Sequence, residues 1–226
     1  MLRAFTGFGF ALAAVPAFSL FLPPAQAVVL TAVLGLAISV IGLPTYWGTV
    51  SPRALVPLVL AALPGTALGV VLLTLASPAQ FQLGVGLAVL AACLALSLFR
   101  PVRRLESTLL GSVTGLLSGV LNGAVAIPGP PVIVYAMLAE PEPLRSRALL
   151  MMFFLASAVI ALCSYAVAGL VGSQALVYAL WSLPALLVGD RVGFGLFRRY
   201  GDALYRRLAL GTLTAIGLIL TLKALT

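Results

Sequence analysis

The chain has 226 residues, 62% of them hydrophobic and 8% charged, with a mean hydropathy of +1.21. A soluble domain carries about a quarter charged residues, so that class is excluded. Segments rich in Leu, Ala and Val, without period-two alternation, exclude an outer-membrane barrel. The net charge of +8 sits in short loops between apolar runs, which is a pattern of membrane topology and not of nucleic-acid binding.

About 20 apolar residues span a bilayer as a helix. Eight apolar segments are predicted, at 4–22, 25–47, 54–75, 79–99, 107–138, 146–169, 173–195 and 203–225. Breakers or charges fill the joins and no linker appears, so the expectation is an all-α polytopic membrane protein with one membrane domain, 1–226. Met1 is followed at once by RAFTGFGF, without the layout of a signal peptide. The first segment carries the glycine-broken stretch TGFGFALAAVP, Thr6 to Pro16. Trp47 ends the second as an interface anchor. The third holds Leu63-Pro64 followed by Gly69, and the fourth holds Cys93.

The fifth segment is the most irregular. Its first part, GSVTGLLSGVLNG, sets Gly111, Gly115, Gly119 and Gly123 four apart, a row that lets another helix approach closely. Thr114, Ser118 and Asn122 stand four apart on the adjacent face. They suit either interhelical hydrogen bonds or a substrate path. Then comes GAVAIPGPP, residues 123–131, with three prolines and two glycines. Unwound backbone in hydrocarbon is costly unless protein buries it or water reaches it, so this stretch is expected to line a cavity. Cys163, in the sixth segment, has no metal-ligand or CxxC spacing with Cys93, and both read as core residues. The seventh segment repeats the third: ALVYALWSLPALLVG carries Leu183-Pro184 and Gly189, about 120 residues after the first copy. Trp181 reads as packing, and Asp190-Arg191 at the segment end as an ion pair.

The chain therefore reads as two repeats, about 1–100 and 107–226, each with one broken segment and three smooth ones. Two breaks in corresponding positions point to a transporter binding site. The first repeat has five residues before Thr6 where the second has about fifteen before Asn122, so a short leading helix is expected there. If 107–138 is a re-entrant hairpin, then Arg53, Arg100, Arg103, Arg104, Arg145, Arg147, Arg198, Arg199, Arg206 and Arg207 share the cytoplasmic side. The repeats are then inverted, and the C-terminus lies outside. Helix N-termini at the breaks favour an anion, and Asn122 or Thr6 can donate to it.

The chain has no His. With no HExxH or GxSxG motif and almost no carboxylate within a span, an intramembrane enzyme is disfavoured; no catalytic residue, metal or cofactor is expected. The expected partners are a small anion and the lipid bilayer, with no nucleic acid; self-association is open. A non-transporting scaffold and an anion channel stay as alternatives.

TGFGFALAAVPAFSLFLPPAQAV, Leu63-Pro64-Gly65 with Gly69, GVLNGAVAIPGPPVIVY and SLPALLVGDRVG together resemble the TauE/SafE, or sulfite exporter, family of membrane permeases. The likeness covers nearly the whole chain and rests on the order and duplication of the motifs. It implies a transporter of sulfite, sulfonates or related sulfur-containing anions in the inner (plasma) membrane. The family's broken stretches match Gly7, Gly9 and Pro16, and Gly119, Gly123, Gly129, Pro130 and Pro131. The candidate substrate site is thus Thr6, Gly7, Gly9, Pro16, Ser118, Asn122, Gly123, Gly129, Pro130 and Pro131. The departure is the short N-terminal helix.

Overall fold

The computed structural model describes residues 10–46, 48–98, 107–140, 142–200 and 202–225. Among these residues the chain is helical throughout, without a strand. The helices are α1 (Phe10–Ser19), α2 (Pro24–Gly42), α3 (Pro52–Leu75), α4 (Pro78–Leu98), α5 (Thr108–Val125), α6 (Gly129–Ala139), α7 (Pro143–Val167), α8 (Ser173–Tyr200) and α9 (Asp202–Leu225). A 3₁₀ turn, Leu43–Thr45, prolongs α2. Four helices begin on a proline, at Pro24, Pro52, Pro78 and Pro143, where a missing N–H costs nothing and the fixed φ suits the first turn.

Among the described residues, five stretches are long and apolar enough to cross a membrane: Pro24–Thr45, Pro52–Leu75, Pro78–Ala95, Thr108–Val125 and Pro143–Val167. The apolar parts of α8 and α9, Ser173–Gly189 and Gly211–Lys223, are shorter than those five. In α8 the charges Asp190 and Arg191 follow Gly189 directly.

The long fifth segment divides into α5 and α6, and α6 doubles back along α5. The Tyr135 hydroxyl donates to the Ala54 carbonyl at the start of α3. It also lies 3.0 Å from where a Cβ on Gly111, at the start of α5, would stand. At about 16 Å, α6 is too short to cross a bilayer alone.

Glycines set the main contact. Along α5, Gly115, Gly119 and Gly123 meet α3 at Leu58, at Ala62 and Thr66, and at Thr66, Gly69 and Val70. Residue numbers rise together, so α3 and α5 run parallel. The helices that the expected repeat would pair, α2 with α7 and α4 with α9, run in opposed directions. The Arg147 guanidinium of α7 lies over the Tyr46 ring just past α2, 5.9 Å from its centroid, so the start of α7 meets the end of α2. Gly86 of α4 meets Gly217 and Thr221 of α9, while Gly217 meets Leu90, again antiparallel.

Several sequence expectations shift. Cys93 is buried but Cys163 is exposed, because Cys163 falls on the outer face of α7. Tyr135 is buried, yet Trp181 is 80% exposed and packs on no core. The left-handed residue of the break is Ala126, at φ 54°, and no glycine; Gly123 lies inside α5. Gly69 packs against α5, whereas Gly189, expected to match it, faces open space. Trp47 and the Asp190 side chain lie outside the described residues.

Candidate functional site

The site is built around the tip between α5 and α6. Helix α5 ends when Ala126 turns left-handed; its N–H donates to the Asn122 carbonyl at 2.8 Å, and the Ile127 N–H reaches back to the Leu121 carbonyl at 3.4 Å. The bond from the left-handed residue back four positions to Asn122 is that of an αL cap. The tip is buried: Val125 and Ala126 are 4% exposed and Ile127 is fully enclosed. Protein, as expected for irregular backbone at membrane depth, surrounds it.

Helix α7 holds the tip in place. The Asn122 amide donates through Nδ2 to the Ser157 carbonyl at 2.8 Å. The Tyr165 hydroxyl, fully enclosed, donates to the carbonyls of Asn122 at 2.7 Å and Gly123 at 3.1 Å. A helix end leaves its last carbonyls without intrahelical donors, and here a phenol from a neighbouring helix supplies one.

The chemistry of the tip is uneven. Between residues 126 and 131, Pro128, Pro130 and Pro131 carry no N–H, and the N–H groups of Ala126 and Ile127 are committed to α5. Gly129 holds the remaining one. The first turn of α6 thus presents the positive end of a short helix with few donors, so an anion held there must take further hydrogen bonds from side chains.

Polar side chains run toward the tip. Thr114 (7% exposed), Ser118 (0%) and Asn122 (4%) form a buried row along α5. At its foot an open cleft of about 410 Å³ is lined by Arg53, Val56 and Pro57 of α3, with Ser107 and Thr108 at the start of α5. Arg53 is exposed there, and a charge at a cleft mouth raises the local concentration of anions. No group of three or more metal-ligating side chains occurs among the described residues.

Of the sequence-derived candidates, Ser118, Asn122, Gly123, Gly129, Pro130 and Pro131 come together on the α5–α6 hairpin. Gly123 serves the contact with α3: a Cβ there would stand 2.7 Å from the Val70 nitrogen. Pro16 lies inside α1, at its seventh residue, whereas Pro131 lies in the first turn of α6; the two prolines do not occupy matching places. Thr6, Gly7 and Gly9 lie outside the described residues. Sequence reasoning missed Thr66, Ser157 and Tyr165. They sit on other helices, and no local spacing links them to the break.

The sequence model of the family described as Sulfite exporter TauE/SafE matches residues 1–220. The chain belongs to the TauE/SafE sulfite exporter family. This TauE/SafE chain is 26% identical over 208 residues to a protein of Cupriavidus necator (strain H16) described as "Probable sulfite/organosulfonate exporter TauE", an alignment covering 90% of this chain and 81% of that one. No solved structure matches the chain. The TauE/SafE family is a family of transporters, and the multi-pass helical bundle with its buried break agrees with that role.

Proposed function

We propose that this protein carries a small sulfur-containing oxyanion, sulfite or an organosulfonate, across the inner (plasma) membrane, without catalysing a reaction. The observation that carries this reading is the buried α5–α6 tip, with the buried Thr114–Ser118–Asn122 row below it on the helix whose start lines the Arg53 cleft. The family and the exporter-like relative supply the substrate class. In this reading the substrate site comprises Ser118, Asn122, Gly123, Gly129, Pro130 and Pro131, with Thr6, Gly7, Gly9 and Pro16 from the first repeat, all in a single membrane domain.

The two repeats are inverted in this reading. The opposed directions of α2 and α7, and of α4 and α9, support it, because a twofold axis in the membrane plane makes equivalent helices meet antiparallel. Alternating access then moves one repeat against the other around the tip. The test is sulfite flux into proteoliposomes of the purified protein. Saturable uptake, accelerated by sulfite preloaded on the far side, is the expected result. Flux that does not saturate and shows no counter-flow would identify a channel, and no flux of sulfite or of any organosulfonate would remove the transport reading.

A further inference from the structure

Among the described residues, two buried hydroxyls make no hydrogen bond within the protein. Thr66 of α3 and Ser118 of α5 are both fully enclosed, and neither Oγ makes a hydrogen bond. A hydroxyl inside a helix ordinarily avoids this by donating to its own preceding turn, and other hydroxyls of this bundle do so. Ser19 donates to Pro16, Thr31 to Ala27 and Ser157 to Phe154, at 2.9, 2.8 and 3.2 Å. Thr221 donates to Gly217 at 2.8 Å. Leaving a buried donor unmade is costly, and both of these hydroxyls lie at one helix crossing.

The two hydroxyls stand on the same flank of that crossing. Gly65 and Gly69 of α3 abut the carbonyls of Leu116 and Val120, on the flank where Val113, Leu116 and Leu117 are exposed. Thr66, with Leu58, Ala62 and Val70, forms the buried stripe of α3. Ser118, with Thr114 and Asn122, forms the buried polar row of α5. The Thr66 backbone meets both Gly119 and Gly123, and Ser118 directly precedes Gly119. At a rise of about 1.5 Å per residue, the two side chains lie within about one turn of each other along parallel helices.

We propose that Thr66 and Ser118 form a hydrogen-bonding site for the oxygens of the transported sulfur oxyanion, a turn short of the α5–α6 tip. This rests on the transport reading given above. The tip backbone offers a single N–H, that of Gly129, since its prolines have none and those of Ala126 and Ile127 are committed to α5. The hydroxyls are neutral donors that no protein acceptor engages, so an oxyanion gains their protons without breaking a hydrogen bond within the bundle.

The test uses the full chain in proteoliposomes, with sulfite as the probe, and reads KM beside the melting temperature. Thr66→Val is isosteric and removes the hydroxyl alone. It should raise KM for sulfite about tenfold, with an unchanged or higher melting temperature, because no existing hydrogen bond is lost. Ser118→Ala should do the same, Thr66→Ser should restore KM, and Thr31→Val, whose hydroxyl is committed to its own helix, should leave KM alone. The site assignment is overturned if Thr66→Val and Ser118→Ala both transport sulfite with the wild-type KM. It is also overturned if they lower the melting temperature without moving KM. A wild-type protein that moves neither sulfite nor any organosulfonate overturns the transport reading itself, and this site with it.

Discussion

Tyr165 closes a helix to which it does not belong. The Ala126 N–H closes on the Asn122 carbonyl and the Ile127 N–H turns back to Leu121, so the Gly123 carbonyl loses its ordinary helical donor and takes one from elsewhere in the bundle. Tyr165→Phe keeps the ring in the core and removes the proton shared between Asn122 and Gly123. We expect a loss of about 1–3 kcal/mol, read as a lower melting temperature in detergent. An unchanged melting temperature would mean that the Ala126 turn holds the tip unaided. Asn122 ties the same tip to α7 through one amide N–H, and its second N–H remains for a guest. Asn122→Ala should therefore lower the melting temperature, by about 1 kcal/mol of stability, and also raise KM for sulfite about tenfold. Were the melting temperature to fall while KM stayed at its wild-type value, Asn122 would be a tie between helices and not a ligand.

At the scale of elements, the α3–α5 pair decides where the tip stands. Parallel helices approach this closely only where side chains are absent. A Cβ on Gly119 would lie 2.6 Å from the Ala62 carbonyl oxygen and 2.9 Å from the Thr66 nitrogen. Both are backbone atoms and cannot swing aside. Gly119→Ala should push the helices apart and cost about 1–3 kcal/mol, whereas Gly129→Ala, whose nearest foreign atom is Ile133 Cδ1 at 3.5 Å, should melt as the wild type does. Equal melting temperatures for the two variants would show that the crossing can relax. The glycine row was legible in the sequence because its four-residue spacing matches a helix face. Helix starts at prolines were legible for the same local reason. The role of Gly123 was not: next to prolines it reads as part of a break, while the structure uses it as a contact inside α5. The left-handed turn fell to Ala126, a residue with no local signature for it. Thr66, Ser157 and Tyr165 depend on which helices pack together, and period and spacing within one segment carry no such information.

At the scale of the whole molecule, the contacts sort the helix ends into two sets. The start of α3 with Arg53, the start of α5 with Ser107, and the outer part of α6 at Tyr135 lie together. The start of α7 with Arg147 lies against Tyr46, beyond α2 and shortly before Pro52. The starts of α2 and α8 meet through Gln26 and Gln174, whose side chains are hydrogen-bonded at 3.1 Å, and α2 runs from there toward Tyr46. Arginines 53, 145 and 147 thus fall at the end opposite Gln26 and Gln174. Following the chain, α4 runs against α3 and α8 away from Gln174, so the C-terminal ends of α4 and α8 lie at that same end. The positive-inside bias assigns that end to the cytoplasm. Helix α9 then leaves it and runs antiparallel to α4, carrying Lys223 to the far side. A reporter active only in the cytoplasm should therefore be silent when fused after Thr226 and active when inserted between Arg100 and Arg104. Strong activity at both positions would require α9 to return to the side where it began, and would break the match between helix packing and arginine placement.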